Sequence, residues 1–108
     1  MRVSEPWVFR EAFQNGVRFP GKLITLYRIK SGKSGLRLGV AASKRLFGRS
    51  VDRSRAKRLM REAWRLNYHG FSGDYDIILS ARHLIIEALR QDVEKDLLLL
   101  AVKAAILK

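Results

Sequence analysis

Arg53, Lys57 and Arg61 recur at i, i+4 and i+8 in a stretch with helical patterning. On one helix face such cations stand about 6 Å apart, a spacing suited to successive phosphates on one nucleic-acid strand. Ser54, Arg55, Arg58 and Arg65 lie in the same block, Ser43 to Arg65, which holds nine Lys/Arg against two acids. A guanidinium fork holds two phosphate oxygens at once, so this chemistry is backbone recognition rather than bond cleavage. Upstream, Ser43-Lys44-Arg45 and Gly48-Arg49-Ser50 join a strand to the helix. Backbone N–H groups and a helix N-terminus there suit a phosphate, or a hydrated metal bound to one. A second set is aromatic: Phe9, Phe13 and Tyr27, with Arg10 and Arg18 nearby. Periodicity alone favours core packing for Phe9 and Phe13; the alternative is a stacking platform for unpaired nucleotides.

Residues for catalysis by the chain itself are sparse. His69 and His83 have no Cys or close His partner, and no metal-ligand spacing. Asp74 and Asp76 alternate at a strand start, where turn capping is the expected use. There is no Gly-rich phosphate loop and no nucleophile motif.

The charge distribution points the same way. Of the formal net +12, the block Ser43–Arg65 carries +7, the first 42 residues +6 and the last 43 residues −1. Such asymmetry repels itself and attracts a polyanion, RNA or DNA first. At 108 residues and 47% apolar content the chain suits a single domain, residues 1–108, with one modest core. It has no Cys, its start is too short and polar for a signal peptide, and its longest apolar run is Leu97–Val102. These features predict a cytoplasmic protein with no disulfides and no membrane partner.

These residues need elements to position them. A short helix is expected from Val8 to Asn15, entered at Pro6, capped by Ser4 or Glu5 and stopped by Gly16. Pro20-Gly21 marks a turn, and Leu23–Ile29 reads as a strand with Ile24 and Leu26 on one side, Thr25 and Tyr27 on the other. Ser31–Gly35 reads as a hairpin connection to a strand in which Leu36, Leu38, Val40 and Ala42 alternate with smaller or polar residues. In the basic helix, Leu66, Leu59, Ala63, Ala56, Met60 and Trp64 cover an arc of roughly 160°, and the cations an adjoining arc of roughly 140°. Asp52 or Ser50 is the expected N-cap, with Asn67 and Gly70 ending the helix. A turn at Ser72–Asp74 leads to a strand, Tyr75–Arg82, and Ile86–Leu107 reads as a closing helix. The class is α+β.

The chain resembles the protein subunit of bacterial ribonuclease P over nearly its whole length. The likeness rests on Phe9-x-x-Ala12-Phe13-x-x-Gly16-x-Arg18-Phe19, then Leu26-Tyr27, Leu36-Arg37-Leu38-Gly39-Val40 and Ser43-Lys44-Arg45, in that order. The signature is Arg53-Ser54-Arg55-x-Lys57-Arg58-x-x-Arg61-Glu62-Ala63, and Ile77–Arg82 matches the late strand. The family's signature carries Asn where this chain has Ser54, and a large aliphatic where it has Ala56. Ser keeps a donor and an acceptor but lacks the reach of the amide.

The resemblance implies a small α/β sandwich, its sheet mostly antiparallel, with a left-handed βαβ crossover. It implies a catalytic RNA partner that removes the 5′ leader of precursor tRNA using Mg²⁺ held mainly by the RNA, with no organic cofactor and no protein partner required. Ser43, Lys44, Arg45, Arg49, Arg53, Ser54, Arg55, Lys57, Arg58, Arg61 and Arg65 would face the RNA subunit. Phe9, Phe13, Arg18, Tyr27 and Arg10 would line or support a cleft for the leader. The main rival is a structural RNA-binding protein of a ribosome-like assembly, which shares the charge but does not account for the aromatic helix. A DNA reader would space Asn, Gln or Arg for base edges, and a self-sufficient nuclease would need a carboxylate or His constellation.

Overall fold

Pro6 opens helix α1 (Pro6–Asn15) in the computed structural model, which describes residues 5–108. Glu5 is the N-cap but makes no side-chain capping bond, and the alternative cap, Ser4, lies outside the described residues. Gly16 ends the helix by donating its N–H to the Ala12 carbonyl at 2.9 Å. A Cβ there would meet that oxygen at 2.5 Å, so only glycine allows so close an exit.

Four strands follow: β1 (Val17–Pro20), β2 (Ile24–Lys30), β3 (Arg37–Ala41) and β4 (Tyr75–Ala81). β1, between Gly16 and the Pro20-Gly21 turn, was not expected; four residues are too few to show alternation, and its pairing with β2 defines it. The sheet order is β1-β2-β4-β3, with β2 antiparallel to β1 and β4, and β3 parallel to β4. This overturns the hairpin expected at Ser31–Gly35. β2 and β3 run oppositely but β4 lies between them, so the connection spans a strand instead of turning back on itself. Gly32 and Gly35, at φ of 71° and 80°, provide the left-handed bends this path needs.

Helix α2 (Ser50–Asn67) crosses from β3 to β4. Its N-cap is Arg49, with no side-chain capping bond, so neither Ser50 nor Asp52 serves as the cap. Asp52 instead lies in the first turn, where a negative charge suits the helix dipole. The closing helix is shorter than expected. His83–Glu87 forms a 3₁₀ turn, and α3 runs only Arg90–Lys103. Asp92 stops it from starting earlier, because its carboxylate accepts the Leu89 N–H at 3.0 Å. Ala105 then takes a φ of 57°, and Leu107 bridges back to Phe71. The apolar run Leu97–Val102 blurs helical phase, which hid both boundaries.

The pleat sorts the residues into two layers. Ile24, Leu26, Leu38, Val40, Ile77 and Leu79 face α2 and α3 and form the main core with Met60, Leu97 and Leu100. Each such fully buried side chain contributes about 1.5–3 kcal/mol. Leu66, expected on the packing arc, is exposed at its margin. The alternate residues Gly39, Ile78 and Tyr27 face α1, which buries Val8 and Ala12. Two polar ties complete the frame. Asp96 of α3, itself buried, accepts the backbone N–H groups of Lys22, Leu23 and Ile24 at 2.9–3.2 Å. Arg28 donates to the Ala104 carbonyl at the end of α3 and lies over the rings of Phe19 and Tyr75.

Candidate nucleic-acid interface

The cationic surface begins where β3 ends. Ser43, Lys44, Arg45 and Arg49 are all exposed on the loop between β3 and α2. That loop is built from within. The Ser43 hydroxyl accepts the Leu46 N–H at 3.2 Å, the Ser43 carbonyl accepts that of Phe47 at 3.0 Å, and the Phe47 side chain is buried in the core. Arg53 completes it, donating from Nη1 to the carbonyls of Phe47 at 2.8 Å and Gly48 at 3.2 Å.

The two signature arginines are therefore not simply surface cations. Arg55 donates to the Ala88 carbonyl at 3.1 Å, tying α2 to the extended residues ahead of α3. Both guanidiniums are partly buried, whereas Ser54 between them is exposed. Ala56, in place of the large aliphatic, packs fully into the core. Arg58 and Arg65 are exposed and Lys57 and Arg61 half-buried, along the outer arc of α2. Glu62 binds Arg65 at 2.8 Å, which holds the carboxyl below its usual range and raises the guanidinium pKa. The sequence pattern identified this charged arc correctly; it could not show which arginines have carbonyl partners inside the fold.

The aromatic set lies on the opposite face of the sheet. Arg18, Tyr27, Ile78 and Gly39 form one row across all four strands. The Phe9 ring lies over this row: a Cβ on Gly39 would sit 2.8 Å from both the Phe9 ring edge and Ile78. Phe13 meets Tyr27 edge to face, with ring centroids 4.9 Å apart, and is 44% exposed. Val8 and Ala12 do the burying on α1, so Phe13 is not a core residue as periodicity favoured. Arg10 and Arg18 are exposed beside it. The next row, Pro20, Thr25, Ser80 and Ala41, has small side chains. Its last member, Ala41, lies two residues before Ser43, so this row runs toward the cationic loop.

The other end of this face carries an ion pair. Arg37 and Asp76 form a bidentate pair, both bonds 2.7 Å, with little of either side chain exposed. The bond to Asp76 raises the Arg37 pKa. Asp74 accepts the Gly35 N–H at 2.8 Å. The two alternating acids thus hold structure, as turn and strand chemistry suggested.

A cationic helix and loop on one side of a mixed sheet, with a partly exposed aromatic pair on the other, is the construction of a small basic polyanion-binding protein. Comparison with known proteins narrows the class. A family model described as Ribonuclease P matches residues 1–105. A ribonuclease P protein component from Alkaliphilus oremlandii is 36% identical over 95 residues, covering 88% of this chain and 82% of its own. One from Clostridium botulinum strain Langeland is 36% identical over 99 residues, covering 91% and 88%. The chain belongs to the Ribonuclease P family. Its fold is that of the RNase P protein of Staphylococcus aureus, with a TM-score of 0.84 at 22% identity over 99% of this chain and 97% of that one. The Thermotoga maritima RNase P protein gives 0.82 at 22% identity over 95% and 96%.

Proposed function

We propose that this chain is the protein subunit of a ribonuclease P ribonucleoprotein, acting in tRNA 5′ maturation. The loop Ser43–Arg49 and the outer arc of α2 bind the RNA subunit. The cleft of Phe9, Phe13 and Tyr27, with Arg10 and Arg18 beside it, takes the single-stranded 5′ leader of precursor tRNA. The RNA subunit hydrolyses the phosphodiester bond, and the protein alone is inactive. The observation that carries this reading is the pair of opposed faces: a cation arc suited to RNA backbone, and an exposed edge-to-face aromatic pair above a floor of small residues, suited to unpaired bases.

Mg²⁺ fits the RNA better than this chain. Near the interface Asp52 faces Arg49 at 4.0 Å and Glu62 holds Arg65. Among the described residues no three His, Cys, Asp or Glu side chains cluster as a metal site, whereas Mg²⁺ requires several convergent oxygens. We place the ion chiefly on RNA phosphates, with no organic cofactor and no further protein partner. No helix among the described residues is long and apolar enough to cross a membrane, and we place the complex in the cytoplasm.

Reconstitution tests this. The full chain added to a transcribed ribonuclease P RNA should restore cleavage of precursor tRNA at low Mg²⁺, where the RNA alone is slow. A chain that binds that RNA yet never stimulates cleavage would favour the rival, a structural RNA-binding protein.

A further inference from the structure

A third surface feature lies apart from the loop and the cleft. Between the C-terminal half of α2 and the start of edge strand β3 is an open groove of about 810 Å³, large enough for a nucleotide. Its floor is apolar, with Leu38, Trp64 and Phe71 contributing, and the Trp64 and Phe71 rings are 5.1 Å apart. Arg61, Arg65 and Tyr68 stand on its rim. Tyr68 is 45% exposed, its ring 4.1 Å from that of His69 between centroids. The bond to Glu62 fixes Arg65 in place. Glu62 and Asp74 also line it, each with one carboxylate oxygen engaged, by Arg65 and by the Gly35 N–H, and the other left to accept a base amino group.

We propose that this groove takes one unpaired nucleotide of the RNA bound by α2, its base on Tyr68 and its phosphate between Arg61 and Arg65. Three features favour RNA over a peptide. The groove continues the cation arc, because Arg58, Arg61 and Arg65 follow one another at about one helical turn. It offers an exposed ring, which stacks on any base. It also pairs cations with acceptors, which matches a phosphate attached to a base. The proposal rests on the RNA-subunit reading above and adds a contact made by stacking instead of charge.

That difference makes it testable with the full chain and transcribed ribonuclease P RNA, measuring affinity across a salt series. Tyr68→Ala should weaken binding about tenfold, the scale of one lost base stack. Tyr68→Phe should restore it, and the salt slope should stay unchanged because stacking releases no counterions. Ser72→Trp fills the groove from another wall with Tyr68 in place, and should give a similar loss. A photoreactive residue at position 68 should cross-link to an unpaired nucleotide. Wild-type affinity in both Tyr68→Ala and Ser72→Trp would overturn the proposal, as would a loss in Tyr68→Phe equal to that in Tyr68→Ala, or cross-linking to a second copy of the chain. If wild-type protein binds no ribonuclease P RNA, the underlying reading fails and takes this one with it.

Discussion

The two faces of the sheet are built from different materials. Toward α2 and α3 the strands present Leu26, Leu38, Val40, Ile77 and Leu79, and two helices of 18 and 14 residues cover them. Toward α1 they present Arg37, Asp76, Tyr27, Thr25 and Ser80, and a helix of only ten residues lies above. The first face closes because its apolar positions reward burial and Arg28, which shares it, bonds the Ala104 carbonyl. The second is held at one end by the Arg37–Asp76 pair, and at the other Phe13 stays 44% exposed over Tyr27.

The largest expected effect lies at the ion pair of the α1-side face. Asp76→Ala leaves the Arg37 guanidinium buried without its partner, and should cost about 3–5 kcal/mol in denaturant unfolding. A loss below about 1 kcal/mol would mean that the pair behaves as a solvated surface bridge, and this end of the face would then add little to the fold.

Phe13→Ala and Tyr27→Ala should each lower affinity for precursor tRNA bearing a 5′ leader by about tenfold, since a stacked base is worth about 1–3 kcal/mol. Mature tRNA should bind nearly as before, and Phe13→Ala should move the thermal midpoint little because that ring is already half exposed. Equal losses for both RNAs with a collapsed midpoint would return these rings to the core and erase the contrast between the faces. Leu79→Ala on the closed face supplies the control: about 2–5 kcal/mol of stability, with no preference between the two RNAs.

The cations sharpen the comparison further. Arg49→Ala and Arg58→Ala remove exposed charges and should each flatten the salt dependence of RNA binding by about one counterion. Arg53→Ala should also weaken binding, but by loosening the loop it ties: amide exchange at Leu46 and Phe47 should quicken. Unchanged exchange at those amides would make Arg53 a plain phosphate ligand.

The smallest effect is on acid stability. The Glu62 carboxyl titrates below its usual range because Arg65 donates to it. Its contribution is therefore present above the unfolded-state value and is lost as pH falls through the lower folded one. Glu62→Gln should remove that part of the acid slope, lowering stability slightly at neutral pH and leaving it nearly unchanged in acid. An identical slope in the variant would show that the ion pair does not form in solution.

Much of this architecture could be read from residue order. The amphipathic split of α2, the alternation in β2 and β3 and the excess charge between Ser43 and Arg65 are local patterns, and local patterns report local structure. They placed the cation arc, the turn-forming acids and the α+β class. Other features depend on residues distant in sequence. The insertion of β4 between β2 and β3 follows from pairing energies that no window of ten residues contains, and β1 is defined by its partner β2 instead of by a pattern of its own. Residue type alone could not separate Arg53 and Arg55, whose guanidiniums bond carbonyls of Phe47, Gly48 and Ala88, from Arg49 and Arg58, which face solvent. Nor could it show that Val8 and Ala12 would fill the space beneath α1 and leave Phe13 exposed above Tyr27. The sequence by itself determined how much positive charge the protein carries and on which element; only the tertiary structure decided which of those charges are held by its own backbone, because a guanidinium bonds whichever carbonyl the fold brings within reach.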